Sequence, residues 1–461
     1  MSASAIASVR VDAAIGRWSR ERPDVPIWTG HQPWLWHPGI LAKYLAIDAA
    51  IDPGGRAINL VVDHDAQDAL RLVRPVRNGE AWSAVPINLG PMLGNVPAGC
   101  QRAIDAASAV RVLRDHARTH SGASLERLIA AWSAPEVREA STLGQQIAHV
   151  LFTLLKPWLE AMWEDRFSTA LCEEPGFVEE LQTLLREAKR MADAYNRAAA
   201  GVPQAGLSWL GRGREWIELP VWLLRWNRPR QRVYADVSDT TPWLIDKSGE
   251  RLDWEAEGVG RDGVWLAPKA LWMTALIRRR HEACSGFVHG TGGATYDRAM
   301  EAWWSGWRNE PLAPMAMATA DATLRLAGPS AQRADLARAA WAAHHLPHNL
   351  NRESGVAAAH PELVAEKAAL LADMHRDRDR RRRRTAFDRI HAINAALADA
   401  HHVLIDRAEH ARDQVEIGIE NEALRHKRDW SFAFYPDETL GALQESIRNT
   451  AATKGVCDVS T

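Results

Sequence analysis

A chain of 461 residues, 46% hydrophobic and 25% charged, has the balance of an ordinary globular protein with room for two or three structural units around a sizeable core. Its formal net charge of -2 marks no overall affinity for nucleic acid or a membrane surface, and no stretch is long and apolar enough to cross a bilayer as a helix. The four cysteines, Cys100, Cys172, Cys284 and Cys457, form no CxxC pair and no zinc spacing, so reduced thiols in a cytoplasmic protein are expected.

The N-terminal MSASAIASVRVDAAIGRWSRERPDV lacks a basic start followed by an apolar run, so no secretory leader is expected. From Val25 to Ile51 a short apolar run ends at Thr29-Gly30, a turn-rich loop follows, and apolar residues recur at helical spacing from Ile40. Pro38 suits the first turn of that helix, where its missing N–H costs nothing. The next segment, AINLVVDHDAQD, predicts a buried strand ending in Asp63, His64 and Asp65. Strand, loop, helix and strand make a βαβ unit, whose ligands lie outside the carboxyl ends of the strands.

From about Ala98 to Ala200 the pattern is mainly helical. Ile217–Arg225 and Arg232–Val237 predict a β-hairpin around Asn227-Arg228-Pro229. Pro268–His281 predicts a helix leading into the strand CSGFVHG, then the glycine-rich loop HGTGGATYD and a helix from about Ala294 to Trp307. From about Gln332 to Asp429 the chain is rich in Ala, Leu, Arg and Glu, and Glu362 to His426 predicts a nearly uninterrupted helical run, hence a long antiparallel coiled-coil arm. The run Arg376–Arg384 within it is expected to be a solvated face or hairpin tip rather than a nucleic-acid patch. WSFAFYPDETLGALQESI predicts a closing helix near Asp437 that folds back on the core. The expected fold is therefore α/β: a Rossmann-like parallel core with helical and hairpin insertions over 1–330, the arm over 331–429, and a returning segment over 430–461.

Three constellations carry chemistry. In the first, Thr29, Gly30, His31 and Gln32 precede His37, Pro38, Gly39 and Lys43. Glycines after a strand admit close backbone approach, and a helix start offers free N–H groups to an anion. The spacing fits neither the Walker A nor the dinucleotide fingerprint. HPGI resembles the HIGH signature of nucleotidyltransferases, with Ile40 in place of its last His. The purely structural alternative is a tight turn with a capping His37. In the second, Asp63 and Asp65 flank His64 and could orient it for acid–base work, or else simply cap the next element. Nothing in the spacing pairs His31, His37 and His64 on one helix, so no metal ion is expected. In the third, His289, Gly290, Thr291, Gly292, Gly293, Ala294, Thr295, Tyr296 and Asp297 form a glycine loop suited to phosphate or carboxylate, with Tyr296 and Asp297 in the helix's first turn. The alternative is that these glycines only permit close helix–strand packing. His344, His345, His348, His401 and His402 are expected to be arm surface.

In order, TGHQPWLWHPGILAKY, VVDHDAQD and FVHGTGGATYD resemble the motifs of the bacillithiol-biosynthesis cysteine-adding enzymes, the putative cysteine ligases. The resemblance implies a Rossmann-type core, a coiled coil that makes a homodimer, affinity for an adenine nucleotide (ATP or ADP), and addition of cysteine to glucosaminyl-malate. Residue by residue, Thr29, Gly30 and Gln32 match the first motif, with His31 where a glutamine is usual. His64 and Asp65 match the second, with Asp63 for a glutamate. Gly290 and Tyr296 match the third, where Gly293 stands in place of a glutamate. The roles implied are Gly30, Gly290, Gly292 and Gly293 as backbone donors, His64 as acid–base group held by Asp63 or Asp65, and Lys43 and His37 as charge neutralisers. Nucleotidyl or adenylyl transfer, and a non-catalytic nucleotide-binding coiled-coil protein, are the rival expectations. No nucleic acid or membrane partner is expected.

Overall fold

A computed structural model describes residues 6–52, 55–66, 68–91, 93–174, 176–252 and 264–454. The chain opens with β1 (Ile6–Val11), α1 (Ala14–Glu21), β2 (Ile27–His31), α2 (Pro38–Asp48) and β3 (Arg56–Val61), followed by the hairpin β4 (Arg71–Asn78) and β5 (Ala81–Asn88). Helices α3 (Ala106–Thr119), α4 (Glu126–Trp132), α5 (Pro135–Glu139) and α6 (Leu143–Leu155) lead to β6 (Met162–Phe167) and then to α7 (Phe177–Arg186) and α8 (Ala188–Gly201). After β7 (Trp216–Arg225), β8 (Gln231–Asp236), β9 (Trp243–Ile245) and β10 (Val264–Pro268) come α9 (Ala270–Arg278), β11 (Gly286–His289), α10 (Thr291–Trp307) and β12 (Met315–Ala322). The rest is helical: α11 (Arg333–Asn349), α12 (Ser354–Ala359), α13 (Pro361–Arg376), α14 (Arg380–Ala400), α15 (His402–Arg425) and α16 (Asp437–Lys454).

Two compact units result. The first comprises Met1–Pro75, Ala84–Leu324 and Lys427–Thr461, and the second Val76–Ser83 and Arg325–His426. The first is a mixed α/β structure around a six-stranded sheet of order β1-β12-β11-β2-β3-β6. Every neighbouring pair is parallel except β1 and β12. Ala57 to Val61 of β3 are buried in succession, as expected of a strand covered on both faces. Helix α2 is buried along its whole length and packs on β12 and α16, which explains why its sequence is apolar all round. Trp272, Trp303, Trp304 and Trp307 fill a second core with the antiparallel sheet β10-β7-β8-β9. The returning segment does pack on the core of this unit: Phe432 N–H donates to Trp36 O at 2.6 Å, and α16 lies against β1 and α2.

The 98–200 stretch is mainly helical, with α3 to α8, but it also holds β6, which pairs with β3 at the sheet edge. Its sequence, MWEDRF, carries three consecutive charges, which suit a half-exposed edge and hide the strand from a hydrophobicity pattern. One expectation needs correction: no single helix runs from Glu362 to His426. Asp379 accepts hydrogen bonds from the N–H groups of Arg381 and Arg382 and so starts α14 afresh, while a second break at His401 separates α14 from α15. The second unit instead gathers α11 to α15 around Leu350, Val356, Ile393 and Leu397. The arginine run forms the turn between α13 and α14, with the side chains of Arg380 to Arg384 exposed.

Candidate functional site

Because β2, β3 and β11 are parallel neighbours, their carboxyl ends deliver His31, Val62–Asp65 and His289–Gly290 to one edge of the sheet. A cleft of about 800 Å³ opens there. Among the residues singled out from sequence, Gly30, His31, Gln32, His37, Gly39, Lys43, His64, Asp65, His289, Gly290, Gly292, Gly293, Tyr296 and Asp297 line it. Thr29 and Asp63 do not. Thr29 is fully buried and donates to Val288 O at 2.8 Å, tying β2 to β11.

Asp63 does not hold His64. Its carboxylate accepts from Ser168 Oγ (2.9 Å), Thr169 N–H (2.9 Å) and Thr169 Oγ1 (2.8 Å), and burial pushes its pKa up. Gly99 and Gly144 crowd it so closely that a Cβ on either would fall within 3 Å of an Asp63 side-chain atom. The residue therefore anchors the turn after β3. Asp65 is no direct partner of His64 either: it accepts from Gln32 Nε2 at 3.0 Å and pairs with Arg230. His64 is left 1% exposed with Nδ1 buried and unpaired, and burial lowers its pKa to about 4. It is a neutral imidazole at physiological pH.

The first glycine segment also departs from its expected roles. Gly30 sits inside β2 opposite Leu60, and a Cβ there would come 2.7 Å from Leu60 O, so glycine is needed for strand packing. What Gly30 offers the cleft is a carbonyl, which accepts from Lys43 Nζ at 2.6 Å, and not a donor. Gly39 lets α2 approach β12, since a Cβ would lie 2.7 Å from Ala320 O. His37 caps α2, its Nδ1 accepting from Gly39 N–H at 2.9 Å, and burial followed by the nearby Arg428 lowers its pKa to about 4. His31 is lowered to about 3, by burial first and then by Lys43. Neither imidazole is a cation at neutral pH, and burial draws Lys43 down to about 7.

Helix α10 begins at Thr291, earlier than its sequence predicts, so Gly290 is its N-cap and Gly292 and Gly293 lie in its first turn. Tyr296 and Asp297 consequently fall in the second turn. The 17-residue helix presents its first-turn N–H groups and positive dipole end to the cleft. Asp297 is buried and accepts from Arg278 at 2.6 Å, and Arg278 also reaches Glu301 at 2.5 Å. His289 Nε2 lies 3.0 Å from Asp297 Oδ2, off the line that a hydrogen bond needs, and its ring stacks on Phe287 at 4.5 Å. A Cβ on Gly293 would meet His289 Nδ1 at 2.4 Å. The imidazole of His289 thus fills the room that a glutamate at this position would need.

The opposite wall was not foreseen from sequence. Trp222 of β7 carries the guanidinium of Arg230 4.3 Å from its ring centre and the ammonium of Lys269 at 4.4 Å. Lys269 pairs with the buried Glu218 at 2.6 Å, and Arg428 pairs with Asp321 at 2.9 Å. Glu218, Trp222 and Arg230 come from the β7–β8 hairpin, Lys269 from the head of α9, Asp321 from β12 and Arg428 from the segment after residue 426, so no local spacing links them to the glycine motifs. The only hint was Pro229 beside arginines at a predicted turn.

The molecule is thus a mixed α/β protein with an imidazole-rich cleft, bordered by the N-terminus of α10, at the carboxyl edge of a largely parallel sheet. Comparison of the sequence with known protein families and with curated proteins finds no match. Among the described residues no helix is long and apolar enough to cross a membrane, and no group of three or more His, Cys, Asp or Glu side chains is arranged to hold a metal ion.

Proposed function

We propose that the cleft is the active site of a carbon–nitrogen ligase-like enzyme on a Rossmann-like core, adding an amino acid such as cysteine to a small amine such as glucosaminyl-malate. The observation that supports a ligand here is the convergence of the motif residues on one cleft at the carboxyl edge of the sheet, where His64 and His289 each leave a ring nitrogen without a hydrogen-bond partner. An orphan polar atom in a dry wall costs about 1–3 kcal/mol until something pairs it. The acyl-transfer reading rests on the three motif segments, all of which border the cleft. The α10 N-terminus takes a phosphate or carboxylate, and an adenine nucleotide is the phosphate donor in this reading. His64, neutral at the working pH, exchanges a proton with the reacting groups. Helices α11 to α15 serve as the coiled-coil dimerisation arm.

Mass spectrometry of incubations of cysteine with glucosaminyl-malate, with and without ATP, tests this directly. A condensed product is expected, and His64→Ala should lower turnover by about a hundredfold or more with little change in substrate binding. Full activity in His64→Ala would remove the acid–base role, and no condensation of any amine and amino-acid pair would remove the ligase reading.

A further inference from the structure

The cations that line the cleft are Lys43, Arg230, Lys269 and Arg428 among the described residues. Three of them have carboxylate partners: Arg230 has Asp65, Lys269 has Glu218 and Arg428 has Asp321. The other buried carboxylates at this edge are also taken, Asp297 by Arg278 and Asp63 by Ser168 and Thr169. Lys43 is 2% exposed, and its Nζ has one acceptor, the carbonyl of Gly30. An ammonium carries three donors and a full charge, and here it meets one acceptor and, 5.7 Å away, the face of the Tyr44 ring, with no carboxylate partner among the described residues. A neutral amine is satisfied by that single acceptor and keeps its lone pair. The groups around it agree. His31 at the end of β2, His37 at the head of α2, His64 beyond β3 and His289 at the end of β11 supply no negative charge, and neither does Tyr44 beside it on α2, whose phenol burial keeps protonated. The chain of Lys43 passes beneath Gly290, where a Cβ would only graze its Cδ at 4.0 Å.

We propose that Lys43 is the base that frees the attacking amine in this cleft, a buried amine that takes the proton released as a substrate ammonium becomes the nucleophile, and that His64 handles the later proton. This rests on the ligase reading for its reaction. The substrate R–NH₃⁺ loses a proton to Lys43, giving R–NH₂ and a lysine ammonium. The amine's lone pair then forms the C–N bond to the carbonyl carbon of an activated acyl donor, an acyl phosphate or acyl adenylate. The phosphate leaves with the electrons of the broken C–O bond and takes the proton of the lysine ammonium, while the second N–H proton, on the now positively charged nitrogen of the new C–N bond, passes to the neutral His64 and on to water, leaving the amide. Burial, which brings the amine to about 7, poises it for both steps near neutral pH. The role differs from that of a fixed positive charge: an arginine would satisfy the latter and fail the former.

Trace acetylation of the full-length protein tests the amine itself and needs no substrate. Acetic anhydride transfers its acetyl group to unprotonated Nζ and releases acetate, and peptide mass spectrometry reads the yield between pH 5.5 and 10. Lys43 should label with a midpoint near 7, well below the roughly 10.4 of an ordinary lysine side chain. A midpoint above about 9, or no labelling of Lys43 at any pH, overturns the proposal, because the amine is then charged or out of reach. In the condensation assay Lys43→Met and Lys43→Arg should each lower kcat by about a hundredfold or more with KM little changed. The rise of wild-type kcat/KM through pH 7 should vanish in Lys43→Met. Full turnover in Lys43→Arg also overturns it. If the wild type condenses nothing while Lys43 labels near 7, the ligase reading fails and the neutral amine stands.

Discussion

His31, His37 and His64 reach their low pKa values chiefly by burial, and this gives the protein an acid signature that a solvated histidine would not. Each folded-state value lies below the ordinary 6.5, so the unfolded chain binds the proton more readily. The stability they contribute is complete above pH 6.5 and is lost as pH falls toward about 4 for His37 and His64 and about 3 for His31. For His64, which is fully buried, the loss by pH 4 is on the order of 3 kcal/mol. Lys43 has the same sign in a higher window, its share falling away between pH 10.5 and about 7. Asp63 acts in the opposite direction, since its raised value favours the folded state in acid. Urea unfolding at steps from pH 7 to 4.5 should show the wild type weakening, and His64→Gln should weaken clearly less over the same range. Parallel curves for the two proteins would mean that His64 is not held neutral by the fold.

At the scale of elements, α10 sets two adjacent glycines in opposite situations. A Cβ on Gly292 meets nothing within 4 Å, whereas one on Gly293 strikes His289 near the base of its ring, which cannot simply swing aside. Gly292→Ala should therefore hold or raise Tm through the better helix propensity of alanine. Gly293→Ala should lower stability by about 1–3 kcal/mol, read by thermal melting. Equal melting temperatures would show that His289 moves freely. This pair also shows how far the sequence is legible. The HGTGGATYD run signals a strand–glycine–helix junction, but the identity of the glycine that is crowded depends on the rotation of a helix one turn longer than predicted. The βαβ entry and the hairpin around Asn227 were readable because apolar periodicity and turn residues coincide there. Strand β1, with only its last residue fully buried, and the alanine-rich β12 left no such trace, since their strand character comes from pairing with each other. His64 was readable as a site residue, whereas its loss of Asp63 to Ser168 and Thr169 was not, because that partnership spans about a hundred residues of sequence.

At the scale of the whole molecule, the second unit interrupts the first, and its ends are fastened together. Arg425 donates to the carbonyls of Leu326, Gly328 and Pro329, and Asn421 binds Trp82 N–H and the carbonyls of Glu80 and Pro329. A short linker can therefore replace Arg325–His426. If that unit carries the proposed dimer contact, light scattering should give a dimer for the full chain and a monomer for the excised one. A full-length protein that is monomeric at tens of micromolar removes the dimer. The sheet order carries a different implication, for the time the protein takes to assemble. Strand β2 borders β3, which follows within 30 residues, and β11, which begins only at Gly286. At a synthesis rate of roughly 5–20 residues per second, the β11 side of β2 stays unpaired for roughly 10–50 s after β2 is made. Over that interval the face of α2 that β12 and α16 later cover lacks those partners, and only its contacts with α1 and β2 can form. The cleft closes last, because its final wall residue, Arg428, follows the whole second unit: the site is not complete until over nine-tenths of the chain has been translated.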